Sequence, residues 1–197
     1  MRREAAPGAA PLYYVQRKVA MLGSRAVGKT TLATHFVAGR FVEAYEPTIE
    51  STLAKKVRFR RAHFHTEIVD TAGIDEHSGG LSRAASVGVH GYLLVYSVAS
   101  RASFEKILFV NAALLRVQGQ SPGVVRVLVA TMIDVREQRQ VSFDEGQALA
   151  DRWRLPFVEC SAKENINVSQ VFTTLIKEIE KDTGFLDADS PAACAIN

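Results

Sequence analysis

Along this chain the spacing of apolar residues switches repeatedly between continuous or alternating runs and a helical period. Val19-Ala20-Met21-Leu22 is a short unbroken apolar run and predicts a buried strand. Leu32, Ala33, Phe36 and Val37 then recur on one helical face, so a helix follows the intervening turn. Val57 and Phe59 alternate with Arg58 and Arg60, as on a strand with one face in water, and Glu67-Ile68-Val69-Asp70 predicts its neighbour. Residues 92–98 and 124–130 are continuous β-rich runs, typical of central parallel strands covered on both faces, and Phe157-Val158-Glu159-Cys160 is a shorter one.

Helical stretches separate these runs. Residues 103–117 carry Phe104, Ile107, Leu108, Ala112 and Leu115 as the expected inward face. Ser142-Phe143-Asp144-Glu145 has the spacing of a capping box that opens a second helix. Val171, Phe172, Leu175, Ile176 and Ile179 form the apolar stripe of the last. This alternation predicts an α/β fold: a doubly wound, mostly parallel sheet with one antiparallel edge strand and helices on both faces. Ligands of such a sheet bind at the carboxyl ends of its strands.

The bulk composition narrows the class. At 197 residues the chain suits one domain, expected over residues 15–182, with a disordered arm at 1–14 and a flexible tail at 183–197. Apolar residues make up 47% and charged residues 23%, ordinary for a globular protein, and the net charge of only +3 argues against a protein built to hold nucleic acid. No apolar run approaches the ~18 residues a membrane span needs, and the first residues lack the core of a signal peptide. Two cysteines, Cys160 and Cys194, make no disulfide framework and fit a reducing cytosol. A monomer is expected.

Residues 23–30, Gly23-Ser24-Arg25-Ala26-Val27-Gly28-Lys29-Thr30, read G-x-x-x-x-G-K-T between the first strand and the first helix. Glycines let successive backbone N–H groups turn inward onto phosphate oxygens, and the helix N-terminus adds positive potential. Lys29 is placed to reach the β- and γ-phosphates, and the Thr30 hydroxyl to ligate Mg²⁺. Some forty residues on, Asp70-Thr71-Ala72-Gly73 closes its strand: Asp70 is a second Mg²⁺ residue and the Gly73 N–H can approach the γ-phosphate. Thr48, after Pro47, offers a hydroxyl to the same ion. Asp134, past the fifth strand, can accept two hydrogen bonds from the guanine N1–H and N2 amine, each worth about 1.5–3 kcal/mol to a charged group. Adenine would set an acceptor against it. Ser161-Ala162-Lys163 can offer a backbone N–H to guanine O6.

With these four motifs in order the chain resembles the Ras superfamily of small GTPases over roughly residues 15–182. Within it, the Rheb branch is most similar, on Arg25 in the phosphate loop, Tyr45-Glu46-Pro47-Thr48-Ile49-Glu50, Asp75-Glu76-His77-Ser78 and the run 90–98. The resemblance implies a P-loop G domain that switches between GTP and GDP, with GTP ordering the loops around Thr48 and Gly73 and hydrolysis releasing them. Lys29, Thr48 and Gly73 are then the catalytic positions. Arg25, Ala26, Val27, Gly28, Thr30, Thr31, Tyr45, Thr131, Met132 and Asp134 contact nucleotide, and Phe41 packs edge-on against the base. It also implies an effector in the target-of-rapamycin kinase pathway, read through residues 45–52. A tuberin-type GTPase-activating protein and an exchange factor would act on the switch.

The chain departs from that family twice. Where the pattern is N-K-x-D, it reads Thr131-Met132-Ile133-Asp134. Thr131 has a shorter reach, and Met132 can cover the base without bringing a charge, so guanine choice should survive while affinity falls. After Gly73 the family's water-orienting glutamine is replaced by Ile74, and Arg25 stands where many members have glycine. Both predict slow unaided hydrolysis. The alternative is a GTP-binding recruitment module with little hydrolysis. A P-loop kinase or ATPase is disfavoured by Asp134 and residues 161–163.

The chain ends Cys194-Ala195-Ile196-Asn197, a C-a-a-X pattern for a prenyltransferase, with farnesyl suggested by the polar Asn197. Asp187 and Asp189 precede it without a basic cluster, so reversible attachment to the cytoplasmic face of internal membranes is expected. Lys55, Lys56, Arg58, Arg60 and Arg61 cluster on the expected hairpin as a charged edge that resists strand pairing, with a partner or lipid contact as the other reading. His63 and His65 share a strand face, without an evident third metal ligand.

Overall fold

In a computed structural model describing residues 13–41, 49–59, 62–74, 80–119 and 123–183, the continuous and alternating apolar runs assemble into one sheet. Its strands are β1 (Tyr13–Gly23), β2 (Glu50–Phe59), β3 (Ala62–Thr71), β4 (Gly91–Ser97), β5 (Arg126–Thr131) and β6 (Phe157–Glu159). They lie in the order β2-β3-β1-β4-β5-β6, and only the β2–β3 pair is antiparallel, with β2 at the edge as expected. Four helices alternate with them: α1 (Lys29–Ala38), α2 (Arg101–Gln118), α3 (Phe143–Trp153) and α4 (Val168–Asp182).

Burial follows from this layering. On one face α1 and α4 cover Val19 and Met21 of β1 and Phe64 and Ile68 of β3, with the Phe36 and Phe172 rings stacked 3.9 Å apart. On the other, α2 and α3 cover Ala20 and Leu22, Leu94 and Leu128. β4 is buried at every residue, which is why its sequence is apolar without alternation. Each buried Leu, Ile or Phe contributes about 1.5–3 kcal/mol through water released from its surface. The capping box of α3 is present, Ser142 and Glu145 each satisfying the other's backbone N–H. The stripe of α4 is buried at all five expected positions.

Three expectations need correction. The inward face of α2 is Ser103, Ile107, Val110, Asn111 and Leu114, while Leu108 is 48% exposed, Ala112 is exposed and Leu115 only partly buried. A helix turns 100° per residue, so Leu108 and Ala112, next to the buried Ile107 and Asn111, point away from the sheet. β1 starts at Tyr13, so residues 13 and 14 pair with Ala62 and His63 instead of belonging to the arm. The basic residues of the hairpin are also split by the pleat. The ammonium of Lys55 lies over the Phe36 ring on the α1 side, whereas Lys56 and Arg58 are exposed. Arg60 and Arg61 lie outside the described residues.

At the pole where β1 begins, Arg17 holds Glu180 of α4 through two bonds of 2.7 and 3.0 Å, with the glutamate fully buried. Removing one member strands the other, and breaking such a pair costs about 3–5 kcal/mol. Glu180→Ala should therefore lower unfolding stability by about 3 kcal/mol, seen as a lower urea midpoint at unchanged slope.

Candidate functional site

The carboxyl ends of β1, β3 and β5 open onto a cavity of about 730 Å³. Its wall includes Arg25, Ala26, Val27, Gly28, Lys29, Thr30, Thr31, Phe41, Gly73, Thr131, Met132, Asp134, Ala162 and Lys163. Of the remaining expected site residues, Asp70 and Ser161 are bonded to Thr30 and Asp134 of that wall. Thr48, Tyr45 and Cys194 lie outside the described residues.

At the phosphate end the loop 23–28 delivers backbone N–H groups to the start of α1. Gly28, the residue before the helix, has φ +83°, a left-handed conformation open to glycine at little cost. Lys29 is 6% exposed and donates to the carbonyls of Ser24 (2.8 Å) and Gly23 (3.3 Å), which aim its ammonium along the loop. Burial disfavours the charged amine and pulls its pKa down to about 8, against the opposing pull of Asp70.

Asp70 is completely buried at the end of β3 and accepts from the Thr30 hydroxyl at 2.6 Å through Oδ2. Its Oδ1 has no hydrogen-bond partner. Burial raises its pKa above the usual carboxylate range, opposed by the Thr30 hydroxyl and Lys29. A dehydrated carboxylate with one oxygen unpaired, touching a threonine hydroxyl, is a hard-oxygen donor set that fits Mg²⁺. The residues present thus suit the ion that the sequence motifs imply.

Gly73 is required by packing as well as by chemistry: a Cβ there would lie 2.2 Å from Arg25 Cγ and 2.3 Å from its backbone nitrogen. The next residue turns away from the site. Ile74 donates its N–H to the Gly23 carbonyl (3.0 Å), and its side chain is 5% exposed within the α2-side core. It does not line the cavity. Its hydrophobic side chain gains more from that core than from a wet phosphate site, and no polar group was there to oppose the turn.

At the base end, Thr131 replaces a longer side chain by direct contact. Its hydroxyl lies 2.6 Å from the Val27 carbonyl and 3.0 Å from that of Tyr96, so one proton ties β5 to the phosphate loop and to β4. Met132 adopts φ +63°, and its sulfur accepts from the Ser97 hydroxyl at 3.2 Å, while its terminal methyl reaches toward Gly28. Asp134 Oδ1 accepts from the buried Ser161 hydroxyl at 2.6 Å. Ser161, expected only for its backbone, is therefore also the side chain that holds the Asp134 carboxylate. Ser97 went unnoticed in the sequence, since nothing marks a strand-end serine as a partner of Met132.

A model of the Ras family matches residues 18–181. The chain is 42% identical over 180 residues to the GTP-binding protein rhb1 of Schizosaccharomyces pombe, covering 91% of this chain and 96% of that protein. It is 43% identical over 168 residues to the human GTP-binding protein Rheb, covering 85% and 90%, and 44% identical over 165 residues to the Rheb homolog of Dictyostelium discoideum, covering 84% and 88%.

The burial of Lys29 predicts that nucleotide binding is proton-linked. With its pKa near 8 in the nucleotide-free chain, the amine is mostly neutral at pH 9, and phosphate oxygens pull it back to the ammonium. Binding of GDP should take up roughly nine-tenths of a proton at pH 9 and roughly one-tenth at pH 7. Titration calorimetry in two buffers of different ionisation enthalpy measures this; equal uptake at both pH values would be inconsistent with the buried amine.

Proposed function

The chain belongs to the Ras family and is a small GTPase of the Rheb-like kind, and on that premise we propose that it is a switch with slow unaided hydrolysis, tethered by a prenyl group. The observation that carries the nucleotide part is the pairing, across one cavity, of a Thr30–Asp70 donor set beside Lys29 with an Asp134 carboxylate held by Ser161.

The proposed roles follow from these positions. Backbone N–H groups of residues 26–31 and the Lys29 ammonium would hold the phosphates, and Thr30 with Asp70 would hold Mg²⁺. The ion neutralises charge that builds on the β- and γ-phosphate oxygens. Thr48 would join it from the neighbouring loop, and the Gly73 N–H would meet the γ-phosphate when GTP is bound. Asp134 would read the guanine N1–H and N2 amine, Met132 and Phe41 would pack against the base, and Ala162 would donate to O6. Loss of the γ-phosphate removes a shared anchor of the two loops, so GTP and GDP states differ there.

Slow hydrolysis rests on Ile74. An apolar side chain turned into the core has no group to orient a water in line with the γ-phosphate, and Arg25 packs against the adjoining Gly73. An activating protein would supply the missing positioning. By resemblance, that protein is of the tuberin type and the effector lies in the target-of-rapamycin kinase pathway. Prenylation at Cys194, with farnesyl favoured by Asn197, would place the chain on the cytoplasmic face of internal membranes in exchange with the cytosol.

Two substitutions test the chemistry. Asp134→Asn should shift preference from guanine to xanthine nucleotides by at least tenfold, since the amide now presents a donor to the xanthine O2, as read by competition with labelled GDP. Retained guanine preference would remove Asp134 from base reading. Ile74→Gln should raise single-turnover GTP hydrolysis several-fold, because the amide is drawn from the core toward the cavity and can orient water. The same change should cost about 1–3 kcal/mol in stability through lost apolar burial. Unchanged turnover at that reduced stability would place the rate limit elsewhere.

A further inference from the structure

On the α2 side of the sheet, burial is confined to the upper parts of β1 and β3, where Ala20, Leu22 and Val69 enter the core. Toward the opposite pole the same face is open to water. Strand register sets Tyr14, Gln16 and Lys18 of β1 beside His63, His65 and Glu67 of β3, and these beside Arg58, Lys56 and Ala54 of β2. Lys56, Arg58 and His65 are exposed, and Tyr14 is 79% exposed with its ring stacked on His63 at 5.6 Å. Among the described residues three cations, Lys18, Lys56 and Arg58, stand there against the single carboxylate of Glu67. The Lys18 ammonium also donates to the Val87 carbonyl at 3.2 Å, which holds it at the margin of the face.

The chain leaves the domain at this same pole. α4 ends at Asp182, just past Glu180, whose carboxylate grips Arg17 near the start of β1. Residues 184–197 contain no lysine or arginine, carry Asp187 and Asp189, and include Cys194. The C-terminal tail therefore brings no basic charge of its own to a lipid on that cysteine, whereas the folded domain exposes Lys56 and Arg58 at this pole.

We propose that this open face of β1, β3 and β2 is a membrane-contacting surface that takes anionic phospholipid headgroups. A nearly flat sheet face lets Lys56 and Arg58 meet one plane together, where a helix would offer only a narrow stripe. Tyr14 at its border has the amphipathic ring that settles at headgroup depth. One prenyl chain holds a protein only marginally, and each additional basic residue near an anionic surface strengthens attachment roughly five-fold. The choice of a lipid surface over an acidic protein rests on the proposed lipidation of Cys194, whose tether of at most roughly 40 Å starts at this pole. The nucleotide cavity opens at the other ends of the same strands, so the contact leaves it accessible.

The test uses the full-length, GDP-loaded Cys194→Ser chain, which carries no prenyl group. It is sedimented with phosphatidylcholine vesicles, with or without about one-third phosphatidylserine, at moderate salt. The chain should bind the anionic vesicles and not the neutral ones. Adding Lys56→Glu with Arg58→Glu should weaken that binding at least tenfold, while Arg152→Glu with Lys177→Glu, an equal charge change on exposed positions of α3 and α4, should leave most of it. No binding to anionic vesicles, or equal losses from the two double variants, overturns the proposal. So does retention on immobilised polyglutamate through Lys56 and Arg58 without vesicle binding, which assigns the face to an acidic protein. The mass of Cys194 in wild-type protein from eukaryotic cells tests lipidation separately, and an unmodified cysteine there leaves the vesicle result standing.

Discussion

An amine and a carboxylate, Lys29 at the start of α1 and Asp70 near the end of β3, are both held out of water, and the rest of the site is arranged around that cost. Neither is fully compensated by the protein. Lys29 bonds two carbonyls and Asp70 one hydroxyl, leaving Oδ1 without a partner, and burial weakens the charged form of both. A ligand that completed them would offset that cost, and on the proposed reading nucleotide phosphate and its cation would find a place prepared in advance. The sheet has to be rigid for that reason. β1 and β3 are adjacent and parallel, and Thr71 Oγ1 donates to the Met21 carbonyl at 2.7 Å just below the site, fixing the distance between the two strand ends.

The base end follows a different economy. Thr131 spans β5, the phosphate loop and β4 with a single hydroxyl, and Met132 fills the floor beside Gly28 with a polarisable side chain where a charged one would have to be solvated. On the proposed reading, guanine specificity would concentrate in one carboxylate. Asp134 is aimed by the buried Ser161 hydroxyl, itself tied to Glu164 N–H at 3.0 Å, so the β6–α4 connection preorganises the residue that β5 presents.

The two poles of the sheet differ because helices cover it unevenly. At the nucleotide end both faces are packed and the strand residues are apolar. At the other end α1 and α4 still cover one face, where Arg17 meets Glu180, but the opposite face of β1, β3 and β2 is polar and cationic. One consequence is that β1 and β3 extend well beyond the apolar runs that announce them, their far halves alternating between core and water.

Period and motif spacing by themselves determined the strand order class, the position of the phosphate loop between β1 and α1, the α3 cap and the α4 stripe. Each depends on residues close in sequence or on a strict repeat, where the local chemistry admits one arrangement. The places of Asp70, Asp134 and Lys29 around the cavity were legible for the same reason. The phase of α2 was not, because Ile107 and Leu108 are equally apolar and only the groove offered by β1 and β4 selects between them. Nor was the direction of Ile74, whose side chain is assigned to the core by packing against residues distant in the chain, or the pairing of Ser161 with Asp134 and of Ser97 with Met132. Strand alternation already sets Lys55 on the Val57 and Phe59 face; the fold added α1 on that side, whose Phe36 ring its ammonium covers. In each case the deciding contact joins elements that meet only when the sheet is assembled, so no local pattern could carry it.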